Sequence, residues 1–345
     1  MERKSLCRAL GLAVVACVLL VGGGMASAGI NIETVPVGNL GNAGQLSEGG
    51  FGPDRICGAV DYAYSIGKYE VTAGQYTAFL NAVAGVDTYA LYNTEMSRID
   101  WGSGIGRSGG GTLGNPYTYS VAADFVNRPV NCVSFWDSCR FANWLNNGQQ
   151  GAGTTETGAY TVTSGGIGNN TITRNPGVQW AVTSEDEWYK AAYYKGGGTN
   201  AGYWMYPTRS DSAPGRDMAD ASGNNANYPT GSGADPIDNG HFTTVGGEFQ
   251  NSASPYGTFD QGGNVWEWNE AIIYGSYRGL RGGAFDIYNG YYLRADDRFN
   301  LDPASSSSYG VSVGFRVSQV PEPASLGILG LGVVGMLVRR RGAGR

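Results

Sequence analysis

Few residues of this 345-residue chain could carry catalytic chemistry. It has one histidine, His241, and five cysteines at positions 7, 17, 57, 132 and 139. Zinc and non-haem iron centres draw on several Cys or His side chains, and this chain has no Cys/His cluster to supply them. A Ser-His-Asp hydrolase would have to use His241, yet no Gly-x-Ser-x-Gly turn accompanies it, so an exposed loop histidine is the plainer reading. Carboxylates occur in pairs, Asp296 with Asp297 and Glu267 with Glu270, as an acid and base acting on a glycan would. Adjacent acids on a strand point to opposite faces, however, and acids beside tryptophan serve equally as calcium ligands or caps. The most distinctive run is Gly262-Gly263-Asn264-Val265-Trp266-Glu267-Trp268-Asn269-Glu270, followed by Arg278-Gly279-Leu280-Arg281-Gly282-Gly283-Ala284-Phe285 and closed by Gly314-Phe315-Arg316-Val317.

These blocks need elements to hold them. Residues 62–70 read as a strand, and Thr72-Ala73-Gly74-Gln75 supplies a capping box for a helix with Tyr76, Phe79, Leu80 and Val83 on one face. A second helix is expected after Ser134, with Asp137 at the box position, and a third after Ser184, with Glu187 there. Between them, residues 160–163 and 171–174 alternate around a Ser-Gly-Gly-Ile-Gly-Asn-Asn turn, which predicts a hairpin. Residues 196–257 are rich in Gly, Asn, Asp, Ser and Pro, a long loop of the kind that is functional or held by an ion. Short aromatic strands follow. The sum is an α+β domain in which loops outweigh regular elements.

Both ends read as targeting segments. Arg3, Lys4 and Arg8 precede an apolar run from Ala9 to Val21 and then Ala26-Ser27-Ala28, a secretion signal with the mature start near Gly29. At the other end Pro321-Glu322-Pro323 leads into fifteen mostly apolar residues, Ala324 to Val338, and then Arg339, Arg340 and Arg341. As a helix that run reaches only about 22 Å, short of a hydrocarbon core of roughly 30 Å. It suits a transient membrane contact, with the arginines kept on the cytoplasmic side. Of 23 Lys+Arg and 29 Asp+Glu the two ends hold seven and two, which leaves 16 against 27 and a net charge of −11 in the middle. Such a surface repels phosphate backbones, so nucleic acid is excluded as the main partner, whereas Ca²⁺ is compatible with it. Outside the cytoplasm Cys132 and Cys139 could pair or remain as two buried thiols, with Cys57 left over.

Taken together, the Gly-Asn-x-Trp-Glu-Trp, Arg-Gly-Gly and Gly-Phe-Arg blocks resemble those of the formylglycine-generating enzyme (sulfatase-modifying factor) family. Earlier segments agree in order: Tyr69-Glu70-Val71-Thr72, Arg128-Pro129-Val130-Asn131 with Ser134-Phe135-Trp136-Asp137, and residues 183–189. The resemblance covers residues 62–317, after a lead-in at 29–61. It implies a variant of the C-type lectin fold with bound Ca²⁺. By position, Gly263, Asn264, Val265 and Glu267 match one family calcium site, and Asn227 and Tyr228 with Asp238 or His241 would form a second. In the family, activity rests on two cysteines after the Arg-Gly-Gly block that bind copper. Those places fall here on Ile287 and Tyr292, which offer no thiolate, so no copper is expected. The tail, residues 320–345, resembles the PEP-CTERM sorting segment. That implies recognition and processing by an exosortase-type membrane enzyme at or near Pro321, Glu322 and Pro323.

Three functions fit these residues. One is a cell-surface or extracellular-matrix binding module for a peptide or glycan, with Trp266, Trp268, Tyr291, Tyr292 and Arg294 lining its cleft. Another is an enzyme of the same family acting on a protein or peptide through a different site. The last is a purely structural matrix protein, which predicts no defined pocket.

Overall fold

The computed structural model describes residues 29–231, 236–287, 289–306 and 311–320. The expected signal peptide and the sorting tail beyond Val320 lie outside the described residues. Along the chain the elements are β1 (Thr34–Val37), β2 (Gln45–Ser47), β3 (Arg55–Cys57), β4 (Tyr64–Gly67), α1 (Ala73–Val83), β5 (Ile105–Ser108), β6 (Thr118–Val121), α2 (Phe135–Asn146), α3 (Ser164–Gly168), β7 (Trp180–Val182), α4 (Glu185–Tyr193), β8 (Trp266–Ile273), β9 (Tyr277–Arg281), β10 (Phe299–Leu301), β11 (Val313–Phe315) and β12 (Val317–Gln319).

All three expected helices form where their caps place them. Thr72, Ser134 and Ser184 each accept a hydrogen bond from the backbone three residues on, and Gln75, Asp137 and Glu187 reach back to complete each box. Propensity alone would not hold helices of nine to twelve residues. Burial does: α1 and α2 meet through Phe79 and Phe141, whose rings stand edge-on at 5.4 Å, and Phe141 in turn meets Phe315 of β11 at 5.3 Å. The main core therefore lies between these two helices and the strands that end the chain.

Two four-stranded sheets carry the rest, in the orders β1-β4-β12-β7 and β10-β9-β8-β11. The chain crosses from one to the other at Arg316, between β11 and β12. The Gly-Asn-x-Trp-Glu-Trp block lies at the start of β8, the Arg-Gly-Gly block at the end of β9 and Gly-Phe-Arg on β11 beside β8, so three motifs remote in sequence share one sheet.

Three expectations change. The strand read over residues 62–70 shortens to Tyr64–Gly67, the stretch paired with β1. The expected hairpin is absent: Thr163 caps Gly166 and starts the short helix α3, leaving a single bridge between Tyr160 and Arg174. The segment ahead of Tyr62 belongs to the folded body, because β1 pairs along β4 and Arg55 of β3 reaches Glu185 of α4 at 2.8 Å. Among the described residues no helix is long and apolar enough to cross a membrane.

Residues 196–257 contain no helix or strand among those described, only isolated bridges, one of them joining Asn227 to Gly263. Side chains substitute for a ladder there. Asn225 accepts from the Asp217 amide at 2.9 Å and donates to Asp220 at 3.0 Å, while Thr208 donates to Asn224 at 2.6 Å.

Candidate functional site

The loop that leaves β9 at Arg281 holds the positions where the resemblance places reactive cysteines. Ile287 is partly buried against the main core, and Tyr292 sets its ring edge-on to Trp266 at 5.8 Å. Both side chains serve packing. The thiols of the described chain sit elsewhere: Cys57, Cys132 and Cys139 are all free and fully buried. The pairing of Cys132 with Cys139 therefore does not form. Burial pushes the Cys57 thiol up to about 11 and Cys132 to about 12, and holds Cys139 well above the usual thiol range. A thiol kept protonated is neither a nucleophile nor a soft metal ligand.

The two expected calcium segments do come together. Asn264 takes the left-handed backbone conformation and its amide donates to Asn227 O at 2.8 Å. Gly263 must be glycine, since a Cβ there would stand 2.2 Å from Asn227 O and its φ is +85°. The Asn264 side chain, however, is committed to pinning the long loop, accepting from the Thr244 amide at 2.9 Å and from Asn227 Nδ2 at 3.2 Å. Glu267 is also engaged. Arg316 donates to both of its oxygens at 2.6 Å each, and the Trp188 indole adds a bond of 2.7 Å. Tyr228 donates to Pro214 O, Asp238 forms an ion pair with Arg128 at 2.6 Å, and His241 rests on Ile99 O and the Phe125 ring.

Sequence reasoning passed over two further acids beside this knot, Glu70 and Asp260. With Glu267 they place three carboxylates around the single guanidinium of Arg316. Burial, then the neighbouring Asp260 charge, hold Glu70 well above the carboxylate range, and burial pushes Asp260 up to about 6. Glu70 Oε1 and Asn227 Oδ1 are buried with no hydrogen-bond partner. Buried oxygens without partners and an excess of negative charge fit a hard cation that takes six to eight oxygens. Among the described residues no three Asp, Glu, Cys or His side chains form a ready metal cage, so such an ion would draw on backbone and amide oxygens as well. The signal for both acids was present in sequence, in Tyr69-Glu70-Val71-Thr72 and three residues ahead of Gly263.

The aromatic cleft is smaller than expected. Trp268 is fully buried with its indole N–H on Val133 O at 2.9 Å, and Trp266 packs against Phe299 at 5.6 Å with 4% exposed. Their alternate positions on β8 turn both rings into the core, so neither lines a cleft. Tyr291 is 38% exposed, Arg294 lies 5.0 Å over its ring, and Asp296 holds Arg294 at 2.5 Å. These three form the accessible part of the site. Asp297 is 2% exposed and burial pushes it up to about 7, so it is not open to a ligand beside Asp296.

The family model for the sulfatase-modifying factor enzyme 1-like domain matches residues 31–320, and the model for the PEP-CTERM protein-sorting motif matches residues 319–341. Solved structures similar to the chain include Treponema denticola variable protein 1, with 19% identity, 85% of this chain and 96% of that chain covered, and a TM-score of 0.51. CarF matches at 21% identity over 85% of this chain and 99% of that one, with a TM-score of 0.48. PvdO from Pseudomonas aeruginosa matches at 18% identity over 84% and 92%, with a TM-score of 0.45. The first of these likenesses bears on the fold alone. No curated protein matches the chain.

Proposed function

The chain belongs to the sulfatase-modifying factor enzyme 1-like family, and from that membership we propose that it is a calcium-stabilised binding module that has left the family's thiol chemistry. Its sorting motif marks it for export and for recognition by an exosortase, with the tail as a membrane anchor before processing. One observation carries the reading. In the loop after the Arg-Gly-Gly turn, Ile287 and Tyr292 pack against the core at the positions where the resemblance places the thiolates, while the thiols among the described residues are buried elsewhere.

What the site retains is suited to holding a ligand. The phenol ring of Tyr291 offers a flat face for a sugar or an apolar peptide side chain, and Arg294 beside it offers donors to a carbonyl or carboxylate. Calcium would serve structure: held by the backbone oxygens of Gly263 and Val265 with Asn227, Asp260 and Glu70, it would neutralise carboxylates that Arg316 alone does not. Cell-surface or matrix placement after export is part of the same proposal.

Elemental mass spectrometry of the purified protein, with and without EDTA and alongside thermal melting, tests it. Bound calcium whose removal lowers the melting temperature, with no copper or iron, is the expected result. Stoichiometric copper or iron overturns the reading.

A further inference from the structure

The C-terminal end of β12 lies at a groove with an uncharged lining. The groove, of about 330 Å³, opens between β1, β4 and β12, walled by Pro36, Val37, Ala63, Ser65, Gln179 and Val320. None of the residues lining it is charged, although the mature region carries a net charge of −11. The walls are built in. Pro36 and Gln319 both lie opposite Ser65 across the sheet, and Tyr64 beneath is locked by its hydroxyl to Glu187 O at 2.5 Å.

Val320, the residue before the Pro-Glu-Pro motif, lies at the rim of this groove. Val320 donates its amide to Gln179 O at 2.8 Å, and Pro321 is the next residue. Upstream, no slack is available. β12 is an interior strand, with Ser318 opposite Ile66 on one side and Ala181 on the other, and Val317 is 1% exposed. Releasing it would break two ladders and open the core. Downstream, the apolar run starts at Ala324, so only three residues separate Val320 from the membrane segment, a span of about 14 Å when fully extended. An enzyme that grips residues 321–323 therefore works within about 14 Å of Val320, next to the domain.

We propose that this uncharged groove is the docking face for the exosortase-type enzyme that processes the tail. The mature region as a whole carries a net charge of −11 and is repelled by an anionic membrane, whereas this groove, directly beside the tether, carries no charge to oppose close approach. The lack of charge beside the tether is thus a recognition feature. It concerns export and does not depend on calcium or on the ligand site.

The test uses the full-length chain in membranes that contain the processing enzyme, with tail removal read as a mass shift over time. Ala63 and Gln179 are exposed, so Ala63→Glu with Gln179→Glu is expected to leave the melting temperature unchanged and to slow processing at least tenfold. Ten Gly/Ser residues inserted between Val320 and Pro321 should restore the double variant to within twofold of the wild-type rate, because the enzyme then reaches the motif without the groove. Unchanged processing of the double variant overturns the proposal. So does a defect that persists after the insertion, or one matched by weaker attachment of the uncut chain to membranes without the enzyme, which would make the groove a bilayer contact.

Discussion

Arg316 and Glu267 form a bidentate ion pair in which neither side chain is exposed. The pair ties the Gly-Phe-Arg block at the crossover between the sheets to the Trp-Glu-Trp block on β8, and it explains why an arginine must stand where the chain changes sheets. Removing one member leaves the other charge buried and unmatched. Arg316→Met or Glu267→Gln should each cost about 3–5 kcal/mol by urea denaturation, and the double substitution should cost less than the sum of the two. Single losses under about 1 kcal/mol would show that the pair does not hold the sheets together.

The three thiols should be inert while the protein is folded. With Cys57 and Cys132 pushed up to about 11 and 12 and all three side chains buried, a disulfide reagent at pH 8 should modify almost none of them in the native mature protein and all of them in denaturant. Fast native modification of any one would place an activated thiol where none is expected.

Asp297 should make stability fall as pH rises. Burial lifts its folded value to about 7, with Asp296 raising it further and Arg281 and Arg294 opposing, while an unfolded aspartate titrates near 3.9. The folded state then binds the proton more tightly than the unfolded state. The stability this confers is present in full below pH about 4 and is lost as pH climbs through 7. Asp297→Asn should therefore raise the melting temperature at pH 8 by at least a few degrees and leave it nearly unchanged at pH 4. Equal shifts at both pH values would remove the titration from the explanation.

Binding and folding should separate along the aromatic set. Trp268→Ala opens a cavity in the core and should cost about 3–5 kcal/mol. Tyr291→Ala, at a half-exposed ring, should change stability by less than about 0.5 kcal/mol, yet lower retention on whichever immobilised glycan or peptide holds the wild type. If Tyr291→Ala and Arg294→Ala both bind as the wild type does, the ligand face lies elsewhere.

Much of this protein was legible where the determining interactions are local. A capping box spans four residues, so Thr72, Ser134 and Ser184 announced their helices unaided, and the order of motif blocks carried the family and the sorting tail. The hairpin over residues 160–174 misled for a local reason too: Thr163 could cap a helical turn as readily as flank a strand, and alternation does not separate the two. Trp266 and Trp268 looked like cleft residues because a tryptophan in sequence has no inside or outside.

Sequence by itself determined the α+β class, the helix starts, the acidic charge and the absence of any cysteine after Cys139, since each depends on residue identity or on neighbours a few positions apart. Tertiary structure decided the rest. It turned the tryptophans inward, set Glu70 and Asp260 beside Glu267 and placed Val320 at the lip of an uncharged groove. Glu70 and Glu267 are 197 positions apart and Pro36 and Val320 are 284 apart, and only the energetics of packing, which weighs every burial against its hydrogen bonds and charges, brings such residues together.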